Sequence, residues 1–527
     1  MPLELSDLPP ELLPLILKPL VARRDLYAVC LVCRSWREVG QRLLFAHVRL
    51  FGRDLAIAPL LFQTLADNAQ LAQLVRKLEV RVYPLSLILK DRLATEWLVI
   101  RMIQNCTNCE ELVWTRKGAL TDRVFQAINS LRRLRSFECN AHTNLSPGSW
   151  DADHFLRLPP LRSFSLILPD RNIANILPSF FERQKELAPQ TDWAGTMSTD
   201  VLLLEEFSVL CRESNAINDT VVRAITPSLA NSRLTSLAFA GCAKLTGAPL
   251  LDLLPTLPHL RHLALEACNL HPCFFISAAP SLTHLRSIKL THPGPRHPTL
   301  TAFFPALATL LQSSTNLTAF TLYYSGASST GQREWPVLPL DFVKSLAASV
   351  GPGLRKFEVS GVLIAVEAIE ALAQSAKELR NLVLHLGADF DLPRLTACFA
   401  PLSSLRTLHL LSQRASVSAD DVLTLAEQCH PTLRQIGYRN RVWIIKRAYY
   451  TTPTTTGADE QRTKVSLGPY DLPWWPEALL VVRFYETAAA FGAFRRNRYG
   501  AESEVETEVE SGSDFESPSE GEEDEGV

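Results

Sequence analysis

Four cysteines stand at a spacing that can hold a metal. Cys30 and Cys33, and Cys106 and Cys109, each have two residues between them. Two such pairs form a zinc ribbon when the stretch between them is short. Here 72 residues intervene. Cys30 and Cys33 also lie inside a helical apolar pattern, and Cys109 fills an apolar position of a repeated phrase. The expectation is buried thiols and no metal. The twelve histidines include no HExxH pair, and Cys429-His430 stands alone before Pro431. No GxSxG turn, phosphate-binding loop or GxGxxG follows a strand pattern. The chain is therefore expected to be no enzyme and to need no cofactor. The chemistry left to it is non-covalent recognition.

The best candidates for recognition sit on a phrase that recurs along the chain: apolar, two variable residues, apolar, one variable residue, apolar. Clear copies are LRSFSL at Leu161, LTSLAF at Leu234, LRHLAL at Leu260, LRSIKL at Leu285 and LTAFTL at Leu317. Others are LRKFEV at Leu354, LRNLVL at Leu379, LRTLHL at Leu405 and LRQIGY at Leu433, with looser copies at Val75, Cys109, Leu134 and Leu204. The thirteen starts lie 25 to 43 residues apart. The end of the phrase alternates in, out, in, which is the period of a half-buried strand. Between copies stand residues at helical spacing, such as Val366, Ile369 and Leu372. One strand and one helix cannot bury an apolar face alone, but stacked copies share a continuous core. This pattern resembles the leucine-rich-repeat family over residues 75 to 440. The stretch at Leu234, with Cys242, is similar to the cysteine-containing subtype, which places a buried thiol there. The resemblance implies an α/β fold: a curved solenoid with parallel strands on the concave face and helices on the convex one.

Stacking turns each position of the phrase into a column. The outward column between the two buried positions includes Lys289, Glu358 and His409. The next includes Tyr323, His385 and Arg439. These six are the candidate target-binding residues, since mixtures of Tyr and Arg recur at binding hot spots. A third column, after the first apolar position, is Arg in nine of thirteen copies. It predicts a basic stripe along one edge that could attract an acidic or phosphorylated ligand. Aromatic interleaving of the kind that holds single-stranded nucleic acid is lacking.

Ahead of the repeats lies LPPELLPLILKPLVARRDLYAVCLVCRSWREVGQRLLFAHVRL, from Leu8 to Leu50. Pro9 and Pro10 suit a helix opening. Leu12, Leu13, Ile16, Leu17 and Leu20 follow at helical spacing, and Pro14 and Pro19 predict that this helix is short or kinked. Asp25 can cap a second helix carrying Leu26, Val29, Val32, Cys33 and Trp36. Leu8, Pro9, Glu11, Ile16, Leu17, Asp25, Leu26, Val32, Cys33, Arg34 and Trp36 together resemble the F-box pattern of Leu-Pro-x-Glu, Ile-Leu, Asp-Leu and Val-Cys-Arg-x-Trp. In that family a three-helix motif docks on a Skp-type adaptor, which attaches to a cullin–RING ligase. The resemblance implies a substrate-recruiting subunit of an SCF-type ubiquitin ligase, binding a target protein on the repeat surface for ubiquitination and degradation. It puts adaptor contact on Leu8, Pro9, Glu11, Ile16, Leu17, Leu20, Asp25, Leu26, Val32, Cys33 and Trp36. The other reading is a repeat-based scaffold or binding protein, acting outside a ligase, whose N-terminal helices only cap the first repeat.

The 527 residues carry 53 basic and 55 acidic side chains, a net charge of −2. Twelve of the acids, and no Lys or Arg, follow Gly500, so a body of +10 carries a tail of −12. The hydrophobic share of 47% fits a folded chain, and the near-neutral total gives no general reason to expect nucleic acid. No apolar run reaches the ~18 residues of a membrane span, and the acidic N-terminus is unlike a signal peptide. A cytoplasmic or nuclear location is expected. On this pattern the chain divides into a helical module at 1–50, a linker helix or first-repeat cap at 51–74, the solenoid at 75–440, a capping segment at 441–500 with a loop at 451–467, and a disordered acidic tail at 501–527.

Overall fold

In a computed structural model of the chain, the structure describes residues 11–469, apart from 21–22, 51–55, 82, 84–88, 117, 146–147, 188–201, 212–214, 325–334, 413–416, 440 and 454–458. The acidic tail, most of the closing segment, and Leu8 and Pro9 lie outside the described residues. One compact unit spans Met1–Trp474; the second, Trp475–Val527, falls wholly outside them.

Three helices open the chain: α1 (Leu13–Leu17), α2 (Arg23–Cys30) and α3 (Arg34–Ala46). Pro14 at the start and Pro19 just beyond the end hold α1 to five residues. The single second helix expected through Trp36 is instead two. Cys33 is fully extended (φ −159°, ψ 177°) and breaks the run, so Trp36 sits in the first turn of α3. Asp25 lies inside the first turn of α2 rather than at its cap. Leu13, Leu17, Leu26, Val29 and Cys30 are the buried side of this module. Gly40 lets α3 close on α2, since a Cβ there would stand 2.8 Å from the Cys30 sulfur.

A sixteen-stranded sheet follows, with its strands in chain order. All thirteen copies of the phrase form strands, from Lys77–Val80 to Gln435–Tyr438, each beginning two residues after the phrase starts. They pair in parallel, and the two inward apolar positions align across neighbours, as in Leu263↔Ile288 and Leu265↔Leu290. This is the leucine-rich-repeat architecture, with helices between successive strands and one continuous apolar core. The sheet begins one strand earlier than the first copy read from the sequence. His47–Leu50 pairs in parallel with Lys77–Val80, and its phrase is Phe45-x-x-Val48-x-Leu50. The far end also differs. The segment 451–467, expected as a loop, is largely hairpin: Arg441–Pro453 pairs antiparallel with both Gln435–Tyr438 and Asp459–Pro469. Trp443, Val465 and Leu467 lean on the core, which accounts for strand in a Thr- and charge-rich stretch.

A backbone device ties the repeats together. The carbonyl of the residue after the first apolar position accepts two N–H groups from the next repeat. The Arg261 carbonyl accepts from Arg286 at 2.7 Å and from Ser287 at 3.0 Å; the Arg286 carbonyl accepts from Thr318 at 2.8 Å and from Ala319 at 3.0 Å. The same pair recurs at every step from Arg76 to Arg434.

In the first half, phenylalanines fill the core. Phe137, Phe164 and Phe207 hold the same phrase position and stack at 6.5 and 6.3 Å, with Phe180 packed 4.5 Å from Phe164. Truncating Phe164 to Ala leaves a cavity facing three repeats. We expect a loss of about 3–5 kcal/mol, read as a lower melting temperature by circular dichroism. A loss under about 1 kcal/mol would mean that the repeats collapse around the gap.

Candidate functional site

Two surfaces stand out, one on the N-terminal helices and one on the sheet face opposite the core. Six of the thirteen large apolar side chains that are exposed among the described residues lie between positions 12 and 32: Leu12, Leu15, Ile16, Tyr27, Leu31 and Val32. Leu15, Tyr27, Leu31 and Val32 are each 60–67% exposed. Such a concentration on a small helical module marks an interaction surface. The helix period creates part of it: α1 and α2 spend Leu13, Leu17, Leu26 and Val29 on the inside, so Leu15, Ile16 and Tyr27 face out, while Leu12 precedes α1 and Leu31 and Val32 lie in the turn after α2. Of the expected adaptor-contact residues, Ile16 and Val32 belong to this surface. Glu11, Asp25 and Cys33 are exposed beside it, while Leu20 and Trp36 are half-buried. Leu17 and Leu26 are buried and build the module instead. Leu12, Leu15, Tyr27 and Leu31 are surface residues that motif matching passed over, and exposure alone singles them out. The module also touches the sheet, where the Arg23 guanidinium donates to the Arg49 carbonyl at 3.3 Å.

The sheet's other face carries the second set. The register runs unbroken along the first outward column, including Lys289↔Thr321, Thr321↔Glu358 and Val383↔His409. Lys289 lies 2.7 Å from the Glu266 carboxylate and 5.8 Å over the Tyr323 ring, so three neighbouring repeats meet there. Burial, then the Glu266 charge, pushes the Tyr323 phenol well above its ordinary range. Arg439 is exposed. The other three candidates are buried and present no face to a partner. Glu358 pairs with Lys356 at 3.0 Å and accepts from Thr321 at 3.2 Å. His385 accepts from the Gly361 N–H at 2.9 Å and meets the Trp335 ring at 4.7 Å. His409 lies over Gly437, whose missing Cβ leaves room for the ring, and its Nε2 donates to the Arg439 carbonyl at 2.8 Å. Strand alternation places these three outward; a bulge after Glu358, Trp335 and Gly437 then allow them to be covered.

At the sheet's first strands Glu79 is buried among His47 (2.9 Å), Arg81 (3.4 Å), Arg49 (3.5 Å) and Lys77 (3.5 Å). Burial raises its carboxyl pKa, but the His47 hydrogen bond and the charges of Arg81 and Arg49 outweigh this and hold it at about 2.

The cysteines do not gather into a metal site. Cys30, Cys106, Cys109 and Cys242 are buried, but Cys33, expected as a buried thiol, is exposed, because the extended backbone there takes it out of the helix. Burial pushes the Cys109 thiol up to about 12, and no group of three ligating side chains occurs among the described residues. Cys273 faces His271 Nδ1 at 3.0 Å, an arrangement that could activate a thiol. The same turn recurs as His297-Pro298-Thr299 and His430-Pro431-Thr432, with the histidine 2.8 and 3.0 Å from the Thr hydroxyl. In all three the ring also accepts the N–H two residues on. Cys and Thr are interchangeable there, so the histidine braces a turn. That also accounts for the isolated Cys429-His430.

These features define a class: a leucine-rich-repeat fold preceded by a three-helix module with an exposed apolar surface. Residues 5–50 match the model of the F-box-like family, and the chain carries an F-box-like domain ahead of its repeats. Solved structures with a similar fold, each 15% identical, include the yeast Rad7 and Elc1 complex, covering 72% of this chain and 86% of that one at a TM-score of 0.41. The protein LegL7 from Legionella pneumophila covers 57% and 90% at 0.35. The TLR13–ssRNA13 complex covers 63% of this chain and 50% of that one at 0.33. None of the curated proteins matches the chain.

Burial lowers the pKa of His292, His385 and His409 to about 4, against ~6.5 in an unfolded chain. Between those values the unfolded state binds protons that the folded state refuses. Stability from these rings is full above pH ~6.5 and is lost as pH falls toward 4. The melting temperature should fall from pH 7 to 4.5, and less steeply in His409→Gln. Parallel curves for the two proteins would show that His409 does not contribute.

Proposed function

We propose that this chain is the substrate-recruiting subunit of an SCF-type ubiquitin ligase. The observation that carries the reading is the F-box-like match over residues 5–50 coinciding with the apolar surface of Leu12, Leu15, Ile16, Tyr27, Leu31 and Val32. A Skp-type adaptor would cover that surface and link the chain to a cullin–RING scaffold. The solenoid would hold a target protein, and the chain itself would supply no catalytic group. Its contribution is positional: a bound target stays at high effective concentration near the ubiquitin-charged enzyme. Work in the cytoplasm or nucleus fits this role.

Leu15 and Leu31 are largely solvent-exposed, so charging them leaves the module's buried side intact. Leu15→Arg with Leu31→Glu should abolish co-purification with a Skp-type adaptor while the melting temperature stays within about 2 °C of wild type. Undiminished adaptor binding by this variant, or no adaptor binding by the wild type, would leave the helices as a cap on the first repeat. The Arg23 contact to Arg49 fits that role.

A further inference from the structure

We propose that the second half of the strand-entrance column is a docking strip for an acidic peptide segment of a protein partner. The double hydrogen bonds described above fix this column, so its side chains project at the strand spacing of ~4.8 Å. Its two halves differ in charge. In the first half acids interrupt it: Arg76 pairs with Glu110 at 3.1 Å, and Arg162 with Glu205 at 3.6 Å. From Leu260 onward the column reads Arg261, Arg286, Thr318, Arg355, Arg380, Arg406 and Arg434, with no acid in it. Among the described residues no carboxylate lies within ion-pair distance of Arg261, Arg286, Arg355 or Arg380, and all but the half-buried Arg380 are exposed. Burial, then Glu206 and the charges of Arg286 and Arg261, act on His262 beside them, leaving its pKa below the ordinary value.

The chemistry that answers this strip is a row of carboxylates. Guanidinium groups bind carboxylates in a planar, two-point fashion. Seven successive strands span about 29 Å, the length of roughly nine extended residues. A nucleic acid strand would need ring faces for its bases. The adjoining column offers His262, Ser287, Ala319, Asn381 and Thr407, with Lys356 as a further cation and no Phe, Tyr or Trp. The observations therefore favour peptide. This inference goes beyond the receptor role, since neither peptide binding nor its loss depends on the adaptor.

The test is fluorescence anisotropy of a labelled peptide of about twelve Asp and Glu residues with the full chain, at low and high salt. We expect saturable binding at low salt that weakens as salt rises. Arg286→Glu with Arg355→Glu should weaken it about tenfold or more, and Arg286→Gln with Arg355→Gln by a smaller amount. The control, Arg76→Glu with Arg162→Glu, changes net charge equally and should stay within about twofold of wild type. Absence of binding, equal loss in both Arg→Glu pairs, or tighter binding of a single-stranded RNA of equal length would each overturn the proposal. The Arg→Gln pair keeps the test decisive should the Arg→Glu pair fail to fold.

Discussion

The structure depends on the carbonyl that accepts two N–H groups at the entrance of each strand. Each repeat contributes one strand to the sheet, so parallel pairing runs only between neighbouring repeats. This double acceptance, repeated from Arg76 to Arg434, fixes where the next repeat begins, whatever the length of the connection between them. Inserted loops can then vary, as the 25- to 43-residue spacing shows, without shifting one apolar layer against the next. A one-residue slip would turn every inward side chain outward. The cost of such a slip grows with each stacked copy, because neighbours share the core.

With the inner positions committed to packing, variation is confined to the outward columns, and these have not all stayed free. Where a charged residue sinks into them it is compensated nearby: Glu79 by His47, Arg49, Lys77 and Arg81, and Glu358 by Lys356 and Thr321. Burial lowers the pKa of His385 and His409, and each ring keeps a hydrogen bond. The sheet's outer face therefore contributes to stability, and the surface left for a partner is narrower than strand alternation suggests.

Periodicity made most of the fold legible, since thirteen of the parallel strands carry the phrase. The strand at His47 was hidden because its phrase opens on Phe45 inside a stretch already absorbed by the helical motif. The closing hairpin was hidden because threonine and charge read as loop until Val465 and Leu467 find the core. Surfaces were harder. A motif gives residue types, and Leu17 and Leu26 match it by building the module, whereas Leu15 and Leu31 lie outside the pattern and face solvent. His385 is covered by Trp335, a neighbour supplied by an inserted segment, and His409 settles over Gly437. Neither contact follows from counting along one strand, because both depend on what a different repeat brings.

The arginine column shows the opposite relation, where a feature of plain periodicity gains meaning from its neighbours. Guanidinium groups held at strand spacing repel by about 0.9 kcal/mol per adjacent pair in water before salt screening. A solubility device would gain from acids interspersed along it, as Glu110 and Glu205 are in the first half. Among the described residues no carboxylate stands within ion-pair distance of the neighbours Arg261 and Arg286, or of Arg355 and Arg380, while the backbone keeps their spacing rigid. Flexible side chains can splay to reduce the strain, at the cost of the freedom they keep when neutralised. An incoming row of carboxylates would relieve several such pairs at once, and a single acid only one. The column thus selects for a run of charge rather than for an individual residue. It does so at the opposite end of the repeat array from the apolar helical module, so the two surfaces can be occupied together.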